Sequence, residues 1–491
     1  MKYLHNAKFY LEGSFANPVT ALLVDAGRIV KLLSSEDPVQ PSWEKVDLRG
    51  GWVYPAFTDA HTHSFSGGLY EDGVDLSACA SIDEVLSLLF VAASQKPELV
   101  IGWRFDEGRI REKRFPTMQE LDSVCPGPRL MLRRVDGHSC VLNSTARKAV
   151  PGLVSQAEVL IAQDNDLAVN WLQDNCSDET ILRAYHNAAQ TALRGGFSTL
   201  HTMIGDAQQS VQHYRLIRNR LNEFAVSFQL YPQSFNLPAA LELGASRIGG
   251  CILADGSIGS RTAALGEVYA DSDSRGILYQ SDQFWNDFVA RAHLRGLQVC
   301  VHCIGDAAIR QINRAFALLP ADEVRELRHQ LIHCEITPDA LVDGIAASGA
   351  VPVMQPAFDL LWGGPDGLYA KRLGSRRGSM NRFGTFTGQG VRVCGSSDWY
   401  VTDLNIAMSL HALIHHHNPA ERLSPADAIA IYTANNAWLN HEESSRGSIA
   451  EGFWADLSVM DTDFTRPFNW PDSRASFIFR SGEMVYAANP A

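Results

Sequence analysis

Between residues 53 and 396, short apolar runs of strand character alternate with stretches carrying apolar residues at helical spacing. This alternation constrains the fold more than any other property of the chain. Strand-like runs fall at 53–60, 129–135, 197–203, 225–231, 250–254, 298–304, 331–335, 351–355 and 391–396. Helical patterns fall at 179–194, 284–295, 306–318 and 338–347. Parallel neighbours need a crossover helix, so repeated alternation favours a parallel sheet. A (β/α)8 barrel and a doubly wound sheet both satisfy it. The nine runs exceed the eight places of a barrel, which makes one an insertion or a hairpin; 250–254 is the weakest of them.

Both ends of the chain read as β. Ala21-Leu-Leu-Val-Asp-Ala-Gly-Arg-Ile-Val30 holds a turn at Asp25-Ala26-Gly27 between two apolar strands. Residues 455–460 and 475–486 are strand-like, with a second turn at Ser481-Gly482. Pairing of the two ends into one sheet domain, 1–54 with 440–491, is the economical arrangement beside a central domain at 55–439. Residues 64–128 are long, carry a helical pattern at 82–94, and read as an insertion over the mouth of the fold.

Composition narrows the partners. The net charge of −13, from 42 basic and 55 acidic residues, argues against nucleic acid and against an anionic membrane surface. No apolar run approaches the length of a membrane span, and Met1-Lys-Tyr-Leu-His-Asn-Ala-Lys8 lacks the apolar core of an export signal. The expectation is a cytoplasmic protein acting on a small molecule, with a homodimer as the candidate assembly. Nine scattered cysteines fit a reduced compartment. Cys300 and Cys303 form a Cys-x-x-Cys, but on a strand their thiols face opposite ways, against a redox pair.

Chemistry concentrates at the ends of the runs. His61 and His63 follow Val53, Tyr54 and Phe57, and i, i+2 side chains of a strand share a face. Two neutral imidazoles make half of a metal site suited to zinc and its neighbours. His302 follows Val299-Cys-Val301, His333 follows Leu331-Ile332, and Asp398 follows Val393-Cys-Gly-Ser-Ser397. In a parallel barrel all strand C-termini open on one rim, so these five ligand-type residues from four strands would converge there.

With these residues in view the chain resembles the metal-dependent amidohydrolase superfamily, and within it the YtcJ-like branch, amidohydrolase family 3. The resemblance rests on Pro55-Ala-Phe-Thr-Asp-Ala-His-Thr-His63, Arg133-Arg-Val-Asp-Gly-His138 with Asn143, the stretch Asp255–Ala264, His302–Ala307, Gln355-Pro356, Gly395-Ser-Ser-Asp398, and Gly447–Leu457. It implies a (β/α)8 barrel, a β-sandwich built from both termini, and metal-dependent hydrolysis at a carbon–nitrogen bond. By position it implies that His61, His63 and Asp398 bind a first metal, while His302 and His333 serve a second site or the substrate. Zinc, as one or two divalent ions, is the implied cofactor. The family often carries a carboxylated bridging lysine four residues before Asp-Gly-Ser; here that position is Cys251. A thiol cannot form that carbamate, so either Cys251 binds as thiolate or the site holds one metal, with a buried structural cysteine as the alternative. The branch also often has an acidic residue after the third-strand histidine, where this chain has His201-Thr202.

Asp398 is the expected proton shuttle between water and leaving nitrogen, and His333 or metal would polarise the carbonyl. His138, at the end of a strand-like run, is the candidate substrate contact. Arg261 would meet an anionic substrate group or pair with Glu267. Trp103, Trp362 and Trp399 fall in rim loops without an assigned role. His411 and His415 have helical metal-pair spacing, yet His415-His-His417 is read as the solvent end of a helix over 404–417. Asp271-Ser-Asp-Ser-Arg275 starts like a calcium loop but lacks its closing glutamate and reads as a surface turn. Two alternatives stand beside an amide hydrolase: a fold-retaining regulatory or binding protein without catalysis, and a hydrolase of a lactone, phosphoester or deaminable ring.

Overall fold

A computed structural model describes residues 1–95, 98–205 and 211–488. The last three residues of the expected C-terminal sheet region, 489–491, lie outside the described residues. Two compact units are present, one of residues 1–63 with 189–491 and one of residues 64–188.

The larger unit begins with β1 (Lys2–Phe9), β2 (Val19–Asp25), β3 (Arg28–Ser34), β4 (Glu44–Pro55) and β5 (Phe57–Thr62). The β2–β3 hairpin closes over Ala26 and Gly27, both at positive φ (46° and 79°). Two left-handed residues in a two-residue loop match the right-handed twist of the flanking strands. A Cβ on Gly27 would stand 2.7 Å from the Ser481 carbonyl oxygen, so only glycine fits.

Residues 64–188 hold β6 (Val74–Asp75), β7 (Leu99–Phe105), β8 (Arg129–Arg134), β9 (Ser139–Leu142) and β10 (Val159–Ile161), in the sheet order β10-β9-β8-β7-β6. Helix Ile82–Gln95 places Ile82, Val85, Leu89 and Ala92 against Val100, Leu130 and Val141. Helix Met118–Val124 begins with a capping box of Thr117 and Glu120. The insertion expected at about 64–128 falls inside this unit.

In the larger unit the chain resumes with β11 (Phe197–Ile204), β12 (Ser227–Pro232), β13 (Arg247–Leu253), β14 (Gln298–Cys303), β15 (Gln330–His333), β16 (Val351–Met354) and β17 (Cys394–Gly395). Strands β5, β11 and β12 form one parallel sheet and β13 to β17 another. Helices such as Asp282–His293, Asp306–Ala317 and Asp339–Ser348 make the crossovers, burying one apolar face each. The amide of Asp398 donates to the His61 carbonyl at 3.0 Å and that of His63 to Trp399 at 2.7 Å, so the segment after β17 continues onto the end of β5. Of the nine strand-like runs, 250–254 belongs to β13 in this parallel array, while 129–135 belongs to β8 in the other unit. The run that falls outside this array is therefore 129–135: a buried run looks the same in any sheet.

The chain ends with β18 (Leu457–Met460), β19 (Ala475–Arg480) and β20 (Glu483–Ala487). They join β1 to β4 in one seven-stranded sheet, with β18 antiparallel to β4. Leu4, Phe9, Leu22, Val53, Leu457, Val459 and Phe479 pack its core. Among the described residues no helix is long and apolar enough to cross a membrane.

Candidate metal centre

The first element of the site is the end of β5. His61 is fully buried, and its Nε2 lies 3.3 Å from Asp398 Oδ1; His63 Nε2 approaches the same oxygen at 3.2 Å. Both ring nitrogens of His61 and Asp398 Oδ1 are buried without a hydrogen-bond partner. Burial lowers the His61 pKa, so the ring is neutral and offers a lone pair. Burial alone would raise the Asp398 carboxyl, but the imidazoles of His61 and His63 beside it hold it well below the usual range. A carboxylate oxygen facing two imidazole nitrogens, with His61 and Asp398 buried and His63 partly exposed, is a cluster that a cation completes.

The second element comes from β13 to β15. Cys251 Sγ lies 3.8 Å from His302 Nδ1. His302 Nε2 is 3.3 Å from the Gly256 carbonyl, an acceptor, which fixes the proton on Nε2 and leaves the Nδ1 lone pair facing Cys251. His333 Nδ1 lies 2.9 Å from Gln355 Oε1, and Gln355 Nε2 donates to Ser396 Oγ at 2.9 Å. That chain puts the His333 proton on Nδ1 and its lone pair on Nε2, the usual support of a metal-bound histidine. Burial pushes the His333 pKa down to about 4.

Three overlapping sets of donors result: His61, His63 and Cys251; Cys251, His302 and His333; His61, His333 and Asp398. Within each set the donor atoms lie within 4.8 Å of one another. The five residues predicted at strand ends are thus brought together, and Cys251 joins them. The donor chemistry, imidazoles with a thiol and a carboxylate, suits zinc-like ions. His333 (φ 70°) and Asp398 (φ 57°) occupy left-handed backbone. Such a conformation costs about 1–2 kcal/mol per residue and recurs at functional sites.

Two buried carboxyls, not singled out from the sequence, tie these segments together. Asp59 accepts from the His61 amide at 3.1 Å and from the Ser397 amide at 2.9 Å, joining β5 to the loop of Asp398. Asp255 accepts from the amides of Ala264, Ile304 and Gly305 at 2.8, 3.0 and 2.8 Å. Burial pushes each up to about 7. Burial also pushes Glu335, two residues beyond His333, up to about 8. Asp59 could have been found from its place two residues before His61 on the same strand face.

His138 belongs to the unit of residues 64–188, in the turn between β8 and β9, where its amide donates to Asp136 Oδ1 at 3.1 Å. Arg261 pairs with Asp271, not Glu267, through two bonds of 3.0 and 2.8 Å. Trp103, in the smaller unit, and Trp399 are buried, and Trp362 packs on Phe358 at 4.9 Å. His201 bonds Tyr231 through Nδ1 at 2.8 Å. The 415–417 run follows the end of helix Ile406–Ile414, with His415 and His417 exposed and only His416 buried; His416 and His417 flank Asp359 at 3.4 and 3.0 Å.

The fold is one shared with metal-dependent hydrolases. A solved structure of an uncharacterized metal-dependent hydrolase from Pyrococcus furiosus superposes with a TM-score of 0.77 at 23% identity, covering 95% of this chain and 100% of that one. The chain belongs to the amidohydrolase family, whose model matches residues 44–477. Similar relatives include a Bacillus subtilis (strain 168) protein bearing the amidohydrolase name YtcJ, 27% identical over 86% of either chain. The N-substituted formamide deformylase of Arthrobacter pascens is 24% identical over 90% of either chain.

Proposed function

We propose that this protein is a metal-dependent hydrolase of a non-peptide carbon–nitrogen bond, in an amide, N-substituted formamide or N-acyl compound. The observation that carries it is the convergence of His61, His63, Cys251, His302, His333 and Asp398 into donor sets no wider than 4.8 Å. The likeness to an N-substituted formamide deformylase supports the bond class. The architecture that fits is a (β/α)8 barrel over 55–439, closed by β12 beside β13 and β17 beside β5, with a β-sandwich domain from 1–54 and 440–491.

His61, His63 and Asp398 would hold one divalent ion, zinc by donor preference, and Cys251, His302 and His333 a second. Such an ion supplies Lewis acidity, which makes water a nucleophile near neutral pH. Asp398 is held ionised, so its carboxylate accepts the proton of the attacking water and returns it to the leaving nitrogen. Gln355 holds His333 in one tautomer, and Asp59 fixes the spacing of β5 from Asp398. The burial of these groups keeps bulk water from the carbonyl as it becomes an oxyanion.

In Asp398→Asn, metal content measured by plasma emission should match wild type, while turnover of N-benzylformamide falls about 10²–10⁴-fold. Unchanged turnover removes Asp398 from the role. Metal-loaded wild type that hydrolyses no member of an N-formyl and N-acyl panel overturns the hydrolase reading.

A further inference from the structure

Burial sorts the nine cysteines: seven are buried, and Cys176 and Cys251 are half-buried. Cys176 lies in the unit of residues 64–188, where its thiol donates to the Leu172 carbonyl at 3.2 Å. Cys251 stands where the register of β13 against β14 skips from Gly249 to Ile252. Its sulfur belongs to two of the three donor sets, one with His61 and His63 and one with His302 and His333. Both ring nitrogens of His61 are buried without a hydrogen-bond partner, a second sign that the cluster around this sulfur is built for a ligand. The cluster can also be reached from solvent. His63, whose donor atom lies within 4.8 Å of the sulfur, keeps 23% of its side chain exposed.

Among imidazole, carboxylate and thiolate donors, sulfur is the one that peroxides oxidise readily. We propose that Cys251 is a modification site, at which oxidation by a hydroperoxide releases one of two bound ions. The sulfur, bound as thiolate, attacks one peroxide oxygen and the O–O bond breaks. A sulfur–oxygen bond forms, giving a sulfenic acid, and the departing oxide takes a proton from solvent and leaves as water or an alcohol. The sulfur gives up an electron pair, and the peroxide is reduced by the same pair. A sulfenic sulfur is a poorer metal donor than a thiolate. The inference rests on the metal centre of the hydrolase reading and gives that centre a means of control. The ion assigned to Cys251, His302 and His333 loses one of its protein donors, whereas the ion assigned to His61, His63 and Asp398 loses none. The other thiols of the parallel strands are shielded: burial pushes those of Cys300, Cys303 and Cys394 well up and keeps them in the unreactive protonated form.

The test treats zinc-loaded full-length protein with hydrogen peroxide in the presence of a zinc-responsive dye. Sulfenic acid is trapped with dimedone and located by peptide mass. About half of the bound zinc should reach the dye, in step with labelling of Cys251. In a parallel sample, dithiothreitol added before the trap should abolish the label. Cys176→Ser should release zinc as wild type does. Cys251→Asp, which offers zinc an oxygen donor that peroxide leaves alone, should hold its zinc throughout. Zinc retained while Cys251 is fully labelled, zinc released while Cys251 is unmodified, loss of all bound zinc, or release that persists in Cys251→Asp overturns the inference. Hydrolysis is read separately on untreated protein. Turnover by a protein whose zinc resists peroxide sinks this inference alone. Peroxide-driven release from a zinc-loaded protein that hydrolyses nothing sinks the hydrolase reading alone.

Discussion

At His333 one hydrogen bond decides which nitrogen faces the donor cluster, and Gln355 makes it at 2.9 Å. Gln355→Leu keeps the volume but removes the acceptor, leaving the Nδ1 proton unmatched in a buried site. Metal affinity, read by competition with a coloured chelator, should fall about 10–100-fold with little change in fold. The ligand-type residues themselves were legible, because each histidine and Asp398 closes an apolar run, and parallel strands place such ends on one side of their sheet. Gln355 was legible only as part of a motif, since nothing in a glutamine's neighbours says which ring it will meet. The ion-pair partner of Arg261 was not legible for a related reason: Asp271 and Glu267 both lie within ten residues of it, and only backbone geometry chooses between them.

At the scale of elements, the clearest case is β13. Its register against β14 is regular from Arg247 to Gly249 and then skips to Ile252, so Gly250 and Cys251 form a bulge. Gly249 and Gly250 both lie at positive φ, 97° and 94°. The bulge turns Cys251 toward His302, which strand periodicity alone does not predict. A Cβ on Gly249 would sit 2.1 Å from the Cys300 carbonyl oxygen, inside the sheet. Gly249→Ala should therefore cost about 2–4 kcal/mol in denaturant unfolding and lower metal stoichiometry together. Measured stability equal to wild type would show that the strand can straighten. The irregular pattern that made 250–254 the weakest strand in the sequence is this bulge. The run at 129–135, more regular, pairs in the other unit because regularity reports burial and not which sheet buries it.

For the whole molecule, stability at mild acidity should track buried neutral histidines away from the metal centre. His329 accepts from the Val299 amide at 3.0 Å and meets His293 at 3.0 Å, which in turn meets Glu323 at 2.8 Å. Burial pulls His329 down to about 3 and His213 down to about 4, from 6.5. Both stabilise the fold fully above pH 6.5, where the unfolded rings are also neutral, and lose that contribution as pH falls toward the folded values. The slope is about 1.4 kcal/mol per pH unit for each ring. Calorimetric Tm should drop between about pH 6.5 and about pH 4.5, and His329→Gln should flatten the drop by roughly one proton. The metal-binding histidines would add to this trend in protein stripped of metal, so the comparison is made with metal present.

A single residue, Ala56, separates β4, which lies within the sheet shared by both chain ends, from β5, which carries His61 and His63. Tension applied at the extremities of the polypeptide would peel β18 from β4 and travel at once to the imidazoles. In an optical trap the first rip should release the bound ion while the parallel strands still hold. An unfolding machine that grips a terminus would meet the same order of events, disarming the protein before dismantling it.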